Sequence, residues 1–214
     1  MKDGVNFFDV IKNRKTVRKF ADYIPTDDEI KEIIDSARLA PSAVNAQNWK
    51  FIAILNSDIK QKMADAVLEK YDEIASKLET QEEKDGVNRF RGHSTFFTHA
   101  PLLIAIIETK YPAFLDNILE NADYSAEEIA LMRPDSQLLS MGGAVENMAL
   151  TAHALGLGSC WMVAPVIAES AFKKILNLAD DDKVVSLLTI GKPADVTSIR
   201  SPKKNLEDVM QIIK

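Results

Sequence analysis

Several short stretches of the chain are almost entirely apolar and predict buried strands. They cover residues 49–55, 102–107 and 183–190, and residues 159–163 predict a shorter strand. Apolar runs of this length between turn residues are typical of strands in the interior of a protein. Helical patterns alternate with these runs, so we expect a central sheet covered by helices on both sides.

The helical patterns have apolar residues three and four positions apart. They predict helices over residues 7–13, 58–78 and 167–176. In the helix over residues 58–78, the charged positions are expected to form a solvated face. Thr26 with Glu29 is a capping-box signature and starts another helix, which stops near Pro41. The longest predicted helix covers residues 134–155, and Gly156 and Gly158 end it.

Other segments lack a helical period. Residues 14–20 look extended, residues 42–48 form a polar loop, and residues 109–133 form a variable excursion or lid. With 214 residues in all, we expect one domain spanning residues 1–214.

Composition narrows the classes of function. The chain is 46% apolar and 27% charged, and 26 basic against 32 acidic residues give a net charge of -6, so we expect neither a nucleic-acid nor a membrane partner. The first residues lack the apolar stretch of a signal peptide, and we expect a cytoplasmic protein. One cysteine and three histidines make a poor set of metal ligands, so we expect no metal site.

Positive charge is concentrated at two places in this acidic chain. One basic cluster contains Lys12, Arg14, Lys15, Arg18 and Lys19, and the other contains Arg200, Lys203 and Lys204. Each cluster could simply be a solvated face. If the fold brings the chain ends together, the two clusters could instead hold one small anion such as a phosphate.

The spacing within the first cluster suggests a ligand longer than a phosphate. In an extended chain Arg14, Thr16 and Arg18 point to one side over about 13 Å, roughly the length of a mononucleotide. Two guanidinium groups with a hydroxyl between them suit an anion at one end and carbonyl acceptors at the other. The loop from Pro41 to Gln47 adds small residues and amide side chains that can approach such a ligand closely.

Three other features have structural interpretations. Gly156 and Gly158 follow a helix and precede a strand, the reverse of a dinucleotide-binding fingerprint. Cys160 has apolar neighbours and is interpreted as a buried structural thiol. His153 lies within the long helix and is interpreted as an interior or interface histidine.

Three motifs together resemble the nitroreductase family of FMN enzymes. They occupy residues 14–20 (RKTVRKF), residues 40–49 (APSAVNAQNW) and residues 143–161, with a basic tail after residues 191–193. The resemblance extends over nearly the whole chain, in order. It implies an α+β fold of three layers, α/β/α, with a central mixed sheet, and an intertwined homodimer with FMN at the subunit interface.

The resemblance also implies cofactor-binding residues. Arg14, Lys15, Thr16 and Arg18 would lie along the flavin from the phosphate to the pyrimidine ring. Pro41, Ser42, Ala43 and Asn45 would come from the partner subunit, and Gln47 of the same loop is a further candidate for cofactor binding. Trp161, Met162, Val163 and Ala164 would lie against the flavin rim, and Lys203 or Lys204 would close on the phosphate.

Some positions depart from the family pattern. The family usually has proline at the position of Asn48 and often arginine at that of Lys203, and some members have a glutamate near Val163. No side chain is expected to be a catalytic acid or base, because the flavin itself supplies the chemistry.

The expected activity is oxidation of NADH or NADPH through FMN with reduction of a nitroaromatic, a quinone or a similar small acceptor, by a ping-pong mechanism. Reductive dehalogenation and reduction of activated double bonds are alternatives on the same fold, and residues 109–133 would decide between them. A flavin-binding protein without turnover is a further alternative.

Overall fold

One antiparallel sheet lies at the centre of the part of the chain that the structure describes, in the strand order β1-β2-β4-β3. The structure is a computed structural model that describes residues 6–111, 114–132, 135–194 and 202–214. The strands are β1 (Trp49–Ile54), β2 (Leu102–Glu108), β3 (Gly158–Met162) and β4 (Lys183–Gly191). All four predicted strands are therefore present.

The strand directions differ from the expected mixed sheet. β1 pairs with β2, β2 with β4 and β4 with β3, each antiparallel. Within the described residues, a parallel pairing occurs as an isolated bridge between Thr16 and Ser159. The mixed sheet is thus corrected to an antiparallel sheet with one parallel contact at its β3 side, because strand direction depends on the path of the connections and not on apolarity.

Burial differs between the central and outer strands. β2 is buried on both faces from Leu102 to Ile107, as its continuous apolarity predicted. In β1, by contrast, Ile54 is buried while Lys50 and Ala53 are exposed. The strand predicted over residues 49–55 is therefore confirmed, but its predicted burial is wrong for part of it, since β1 lies at the end of the strand order with less of the protein around it.

The described residues also contain eight α-helices. They are α1 (Phe7–Asn13), α2 (Asp27–Arg38), α3 (Ser57–Ser76), α4 (Gln81–Thr95), α5 (Phe114–Asn121), α6 (Ala126–Met132), α7 (Ser136–Ala154) and α8 (Glu169–Ile175).

The helices cover both faces of the sheet. On one face α2 and α7 pack against Ile104, Ile106 and Leu188. On the other face α3 and α8 pack against Leu103, Ala105 and Leu187. Neighbouring residues of one strand therefore belong to opposite cores, and the expected α/β/α layering is confirmed.

The predicted helix ends are confirmed in detail. The Thr26 hydroxyl accepts from the Glu29 N–H, and the Glu29 carboxylate accepts from the Thr26 N–H at 2.8 Å. At the end of α7, Gly156 has φ of 83°, and the Leu157 N–H donates to the Ala152 carbonyl at 2.8 Å. The glycine reverses the chain where a residue with a side chain would be strained.

Sequence reasoning missed three helices. A capping box of Thr80 and Glu83 starts α4, and Ser125 with Glu128 makes equivalent hydrogen bonds before α6. These pairs are the local signals that could have revealed α4 and α6. Within 109–133, the expected excursion without a period contains α5 and α6, while residues 112, 113 and 133 lie outside the described part.

The charged face expected for residues 58–78 has one exception. Lys60 is only 4% exposed, and its Nζ donates to the Ala100 carbonyl at 2.5 Å. Burial lowers the pKa of this ammonium group. Lys60 thus ties α3 to the turn before β2, and the periodicity of α3 alone could not show this.

Candidate functional site

The segment after α1 runs alongside β3 in a fixed register. Thr16 forms a parallel bridge with Ser159, and the Val17 N–H donates to the Ser159 carbonyl at 2.9 Å. The buried Val17 side chain occupies the space beside Gly158, where a Cβ would lie 2.4 Å from Val17 Cγ2. Glycine at this strand position therefore allows the close approach of residues 14–18.

The side chains of this segment alternate between core and solvent. Val17 is buried, whereas Thr16 and Arg18 on either side of it are exposed. This agrees with the extended conformation predicted for residues 14–20. Arg18 lies beside the Cys160 thiol: burial raises the pKa of Cys160, and the charge and hydrogen bond of Arg18 oppose that rise.

Arg14 is held at the junction of α1 and α7. Its Nε lies 3.6 Å from Glu146 Oε1, and its side chain is 24% exposed. Its N–H donates to the Val10 carbonyl at 2.9 Å and so ends α1. Arg14 and Arg18 thus stand at the two ends of one short segment beside β3.

The end of β3 exposes an apolar edge next to this basic segment. Trp161 is 46% exposed and Val163 61%, while Met162 between them is buried in the core. The terminal ring carbon of Trp161 lies 3.6 Å from the position of a Cβ on Gly142 of α7. Trp161, Val163 and Ala164 are therefore accessible, whereas Met162 could reach a ligand only through its backbone.

The loop between α2 and β1 is anchored to the first half of α7. The Ala43 N–H donates to the Ser140 hydroxyl at 3.1 Å, and the Gln47 N–H donates to the Ser42 hydroxyl at 3.1 Å. Residues 43–45 form a single 3-10 turn within the predicted polar loop.

The same loop has an unusual backbone. Val44, Asn45 and Gln47 have φ of 50°, 55° and 48°. Such values are costly for residues with side chains, above all a β-branched valine, and strained backbone of this kind is often found at functional sites. Pro41, Asn45 and Gln47 are exposed and Ser42 partly so, and they can therefore meet a ligand or another subunit.

The unusual Asn48 next to this loop has a structural explanation. Its side chain is 4% exposed, and its amide nitrogen lies 3.4 Å from the Thr109 carbonyl and 3.5 Å from Gln137 Oε1. In turn the Thr109 N–H donates to the Asn48 carbonyl at 2.9 Å. Asn48 therefore joins the beginning of β1, the end of β2 and α7.

The second basic cluster lies only partly within the described residues. Lys203 and Lys204 are exposed, and Arg200 lies outside the described residues. A phosphate contact from Lys203 or Lys204 therefore stays a prediction.

Sequence reasoning did not show what two residues of α7 near the basic segment interact with. Glu146 pairs with Arg14, and the pKa of His153 is lowered by burial and by the nearby charges of Arg14 and Lys15. Glu146 and His153 are seven residues apart, which places them on one face of the helix. This spacing could have shown from the sequence that the two residues share a helix face. Which other segments pack on that face depends on the tertiary structure and cannot be read from the neighbouring residues.

Two further expectations concern metals and membranes. In the described part of the chain, no group of three or more His, Cys, Asp or Glu side chains could hold a metal ion. Nor does any helix there combine the length and apolarity needed to cross a membrane.

Comparison with known proteins places this arrangement in a class. Residues 11–192 match the sequence model of the Nitroreductase family. The chain belongs to this family.

Two curated relatives carry names of enzymes. The chain is 28% identical over 220 residues to 4-nitrobenzoate reductase of Pseudomonas putida, with 93% of this chain and 92% of the relative covered. It is 27% identical over 194 residues to iodotyrosine deiodinase of Thermotoga neapolitana, with 88% and 89% covered.

Two solved structures share the fold. A BluB-like flavoprotein from Clostridium difficile superposes with a TM-score of 0.87 at 31% identity, covering 99% of this chain and 100% of that one. A nitroreductase with bound FMN from Bacteroides fragilis superposes with a TM-score of 0.71 at 20% identity, covering 98% and 100%.

Proposed function

We propose that the protein is an FMN-dependent oxidoreductase that takes hydride from NADH or NADPH and reduces nitroaromatic, quinone or similar acceptors. The observation that carries the proposal is the register of residues 14–18 against β3, which sets a row of cations beside the exposed edge at Trp161 and Val163. Membership of the nitroreductase family supports the same conclusion.

The residues present fit FMN. The half-buried Arg14, with Lys15, supplies positive charge for the phosphate, and the exposed Arg18 supplies it for the pyrimidine end of the ring. The apolar edge of Trp161, Val163 and Ala164 would face the ring, with Met162 contributing backbone only. When bound, FMN supplies hydride and electron transfer at its ring.

The protein's own residues position the two substrates. No described side chain needs to act as an acid or base. The strained loop of Pro41, Ser42, Ala43, Asn45 and Gln47 would complete the site from a partner subunit, and Lys203 or Lys204 would add a phosphate contact. We propose that residues 1–214 act as a single FMN-binding domain, because both cores share one sheet. We further propose that two such chains form a homodimer.

The distribution of exposed apolar side chains supports the homodimer. Phe7 and Phe8 on α1 are exposed, and Ile213 near the C-terminus is 88% exposed. A groove of about 250 Å³ between α1, α2 and α7 is lined mainly by apolar side chains, including Phe7, Leu39 and Leu150. Extensive apolar exposure of this kind marks a protein interface.

Reductive dehalogenation is a second candidate function. The likeness to a deiodinase favours it. The apolar side chains exposed on α5 and α6, such as Phe114 and Leu131, provide a surface that could contact an aromatic acceptor and favour it over other acceptors.

Initial-rate kinetics test the proposed function. The protein should contain one FMN per chain, and rates measured at several acceptor concentrations should give parallel double-reciprocal lines, since one pocket serves both substrates in turn. The acceptors are a nitroaromatic, a quinone and an iodinated phenol, each with NADH and with NADPH. Intersecting lines would contradict the ping-pong mechanism, and no steady NAD(P)H consumption with any acceptor would contradict the enzymatic function.

A further inference from the structure

The strained loop between α2 and β1 begins at a buried serine of α7. The Ala43 N–H donates to the Ser140 hydroxyl at 3.1 Å, and this hydroxyl donates to the Ser136 carbonyl at 2.6 Å. Ser140 is only 8% exposed. Its hydroxyl thus accepts one hydrogen bond and donates another, and it fixes the first residue of the 3-10 turn over residues 43–45 to α7.

The other end of the loop is joined to the same helix by Asn48. This side chain is buried, and its amide nitrogen lies 3.5 Å from Gln137 Oε1. Gln137 and Ser140 are three residues apart on α7, so they are neighbours on one face of the helix. The loop is therefore anchored at both ends to a single face of α7.

The residues between these two anchors have backbone conformations that are costly for them. Val44, Asn45 and Gln47 all have positive φ, with 50° at Val44. Val44 is β-branched and its side chain is 80% exposed, so its own packing offsets little of the strain. Strain of this kind persists only where the surrounding structure determines the backbone. The anchors at Ala43 and Asn48 provide that constraint.

We propose that Ser140 and Asn48 are positioning residues of the flavin site, which hold the strained loop in the conformation that binds FMN. This inference rests on the proposed function, which places residues 41–47 against the flavin from a partner subunit. The anchored loop already exposes the side chains of Asn45 and Gln47. A loop that has its bound conformation before the ligand arrives binds more tightly, because less conformational entropy is lost on binding.

Loss of the first anchor should weaken FMN binding. In Ser140→Ala the Ala43 N–H loses its acceptor, and Val44 is free to return to negative φ. FMN binding must then restore the strained backbone. We expect the dissociation constant to rise by roughly threefold to tenfold, which is the equilibrium effect of about one hydrogen bond.

Dilution of the FMN-loaded protein measures this change. FMN released at each protein concentration is quantified by its fluorescence, and denaturant unfolding gives the stability of each variant. The matched control is Ser94→Ala. Ser94 is fully buried and its hydroxyl lies 2.7 Å from that of Tyr71, but this pair joins α4 to α3 and not the loop to α7. Ser94→Ala should lower the free energy of unfolding and leave FMN affinity unchanged.

Val44→Gly tests whether the anchor acts through the strain. Glycine adopts positive φ without a steric penalty, so a loop with this change depends less on its anchor. The exposed Val44 side chain makes few contacts that the change could remove. Adding Ser140→Ala to Val44→Gly should therefore weaken FMN binding by at most about twofold, less than Ser140→Ala does alone.

A pair of changes at Gln137 tests the second anchor. Gln137→Glu keeps an oxygen that can accept from the Asn48 amide, so it should bind FMN as wild type does. Gln137→Met has a similar length but no such oxygen, and it should weaken FMN binding by about twofold to fivefold. The effect should be smaller than at Ser140, because the Asn48 amide also lies 3.4 Å from the Thr109 carbonyl.

The outcomes separate this inference from the proposed function. Wild-type FMN affinity in Ser140→Ala, with stability lowered as in Ser94→Ala, would overturn the positioning role of Ser140. The same loss of affinity with and without Val44→Gly would also overturn it, because the anchor would not act through the strain. Equal affinity in the two Gln137 variants would overturn the role of Asn48. Failure of wild type to hold FMN would overturn the proposed function itself, and this inference with it.

Discussion

At the scale of single residues, the exposed Arg18 offers the sharpest test of where the flavin ring lies. It shares the outer side of residues 14–18 with Thr16 and lies beside Cys160. A cation near the pyrimidine end of the ring favours the reduced, more negative flavin. At about 5 Å and an effective dielectric of about 20, this interaction is roughly 3 kcal/mol before solvent screening.

We therefore expect Arg18→Gln to lower the midpoint potential of bound FMN. About 30 mV corresponds to 1.4 kcal/mol for a two-electron couple, so the decrease should be up to roughly 60 mV, with slower reduction by NAD(P)H. Spectroelectrochemical titration measures it. The control is Lys19→Gln, which removes the same charge from the next exposed residue and should shift the potential much less. An unchanged or raised midpoint potential in Arg18→Gln would show that Arg18 does not lie beside the flavin ring.

At the scale of elements, the contact between residues 14–18 and β3 depends on one glycine. A Cβ on Gly158 would lie 2.4 Å from Val17 Cγ2 and 2.6 Å from Val17 Cβ. Rotation about χ1 can move the Cγ2 atom, but the Cβ atom is fixed by the backbone, so Gly158→Ala must displace the segment that carries Arg14 and Arg18.

We expect Gly158→Ala to lower the free energy of unfolding by about 1–3 kcal/mol, the usual cost of overpacking, and to weaken FMN binding at least tenfold. Denaturant unfolding and fluorescence titration with FMN measure the two effects. Gly92→Ala on α4 is the control, since a Cβ there meets nothing within 4 Å and alanine favours a helix. Wild-type FMN affinity in Gly158→Ala would show that the register of residues 14–18 does not shape the site.

At the scale of the whole molecule, we expect the apolar side chains that are exposed near both ends of the chain to be buried against a second copy of the chain. Phe7 and Phe8 lie on α1, and Ile212 and Ile213 lie in the exposed segment 202–214. Burying one such side chain contributes about 1.5–3 kcal/mol, so several together can hold two copies in contact.

We expect light scattering to give twice the chain mass of 23.8 kDa for the FMN-loaded protein. The double variant Ile212→Asp with Ile213→Asp should weaken this dimer, because it would bury two carboxylates. Phe90→Asp changes an exposed aromatic residue on α4 and should leave the dimer intact. A monomer that still holds FMN would contradict both the dimer and the contribution of residues 41–47 from a partner.

The sequence by itself determined the features that depend on near neighbours in the chain. The capping pair of Thr26 and Glu29 determined the start of α2, Gly156 determined the end of α7, and uninterrupted apolarity identified β2 as a strand buried on both faces. The basic residues at positions 14–18 were also found from their spacing alone. Such signals are local because capping, chain reversal and burial on both faces require particular side chains at particular offsets.

Only the tertiary structure decided which distant segments meet. The antiparallel order of the strands, the register of Val17 against Gly158, the burial of Lys60 and the pairing of Arg14 with Glu146 all join parts that are far apart in the chain. An amphipathic pattern predicts which side of a helix packs against the rest of the protein, but the packing of helices and sheet determines which residues that side contacts. His153 is the clearest case, because its helix position was evident from the sequence while the charges that lower its pKa, on Arg14 and Lys15, belong to the distant segment after α1.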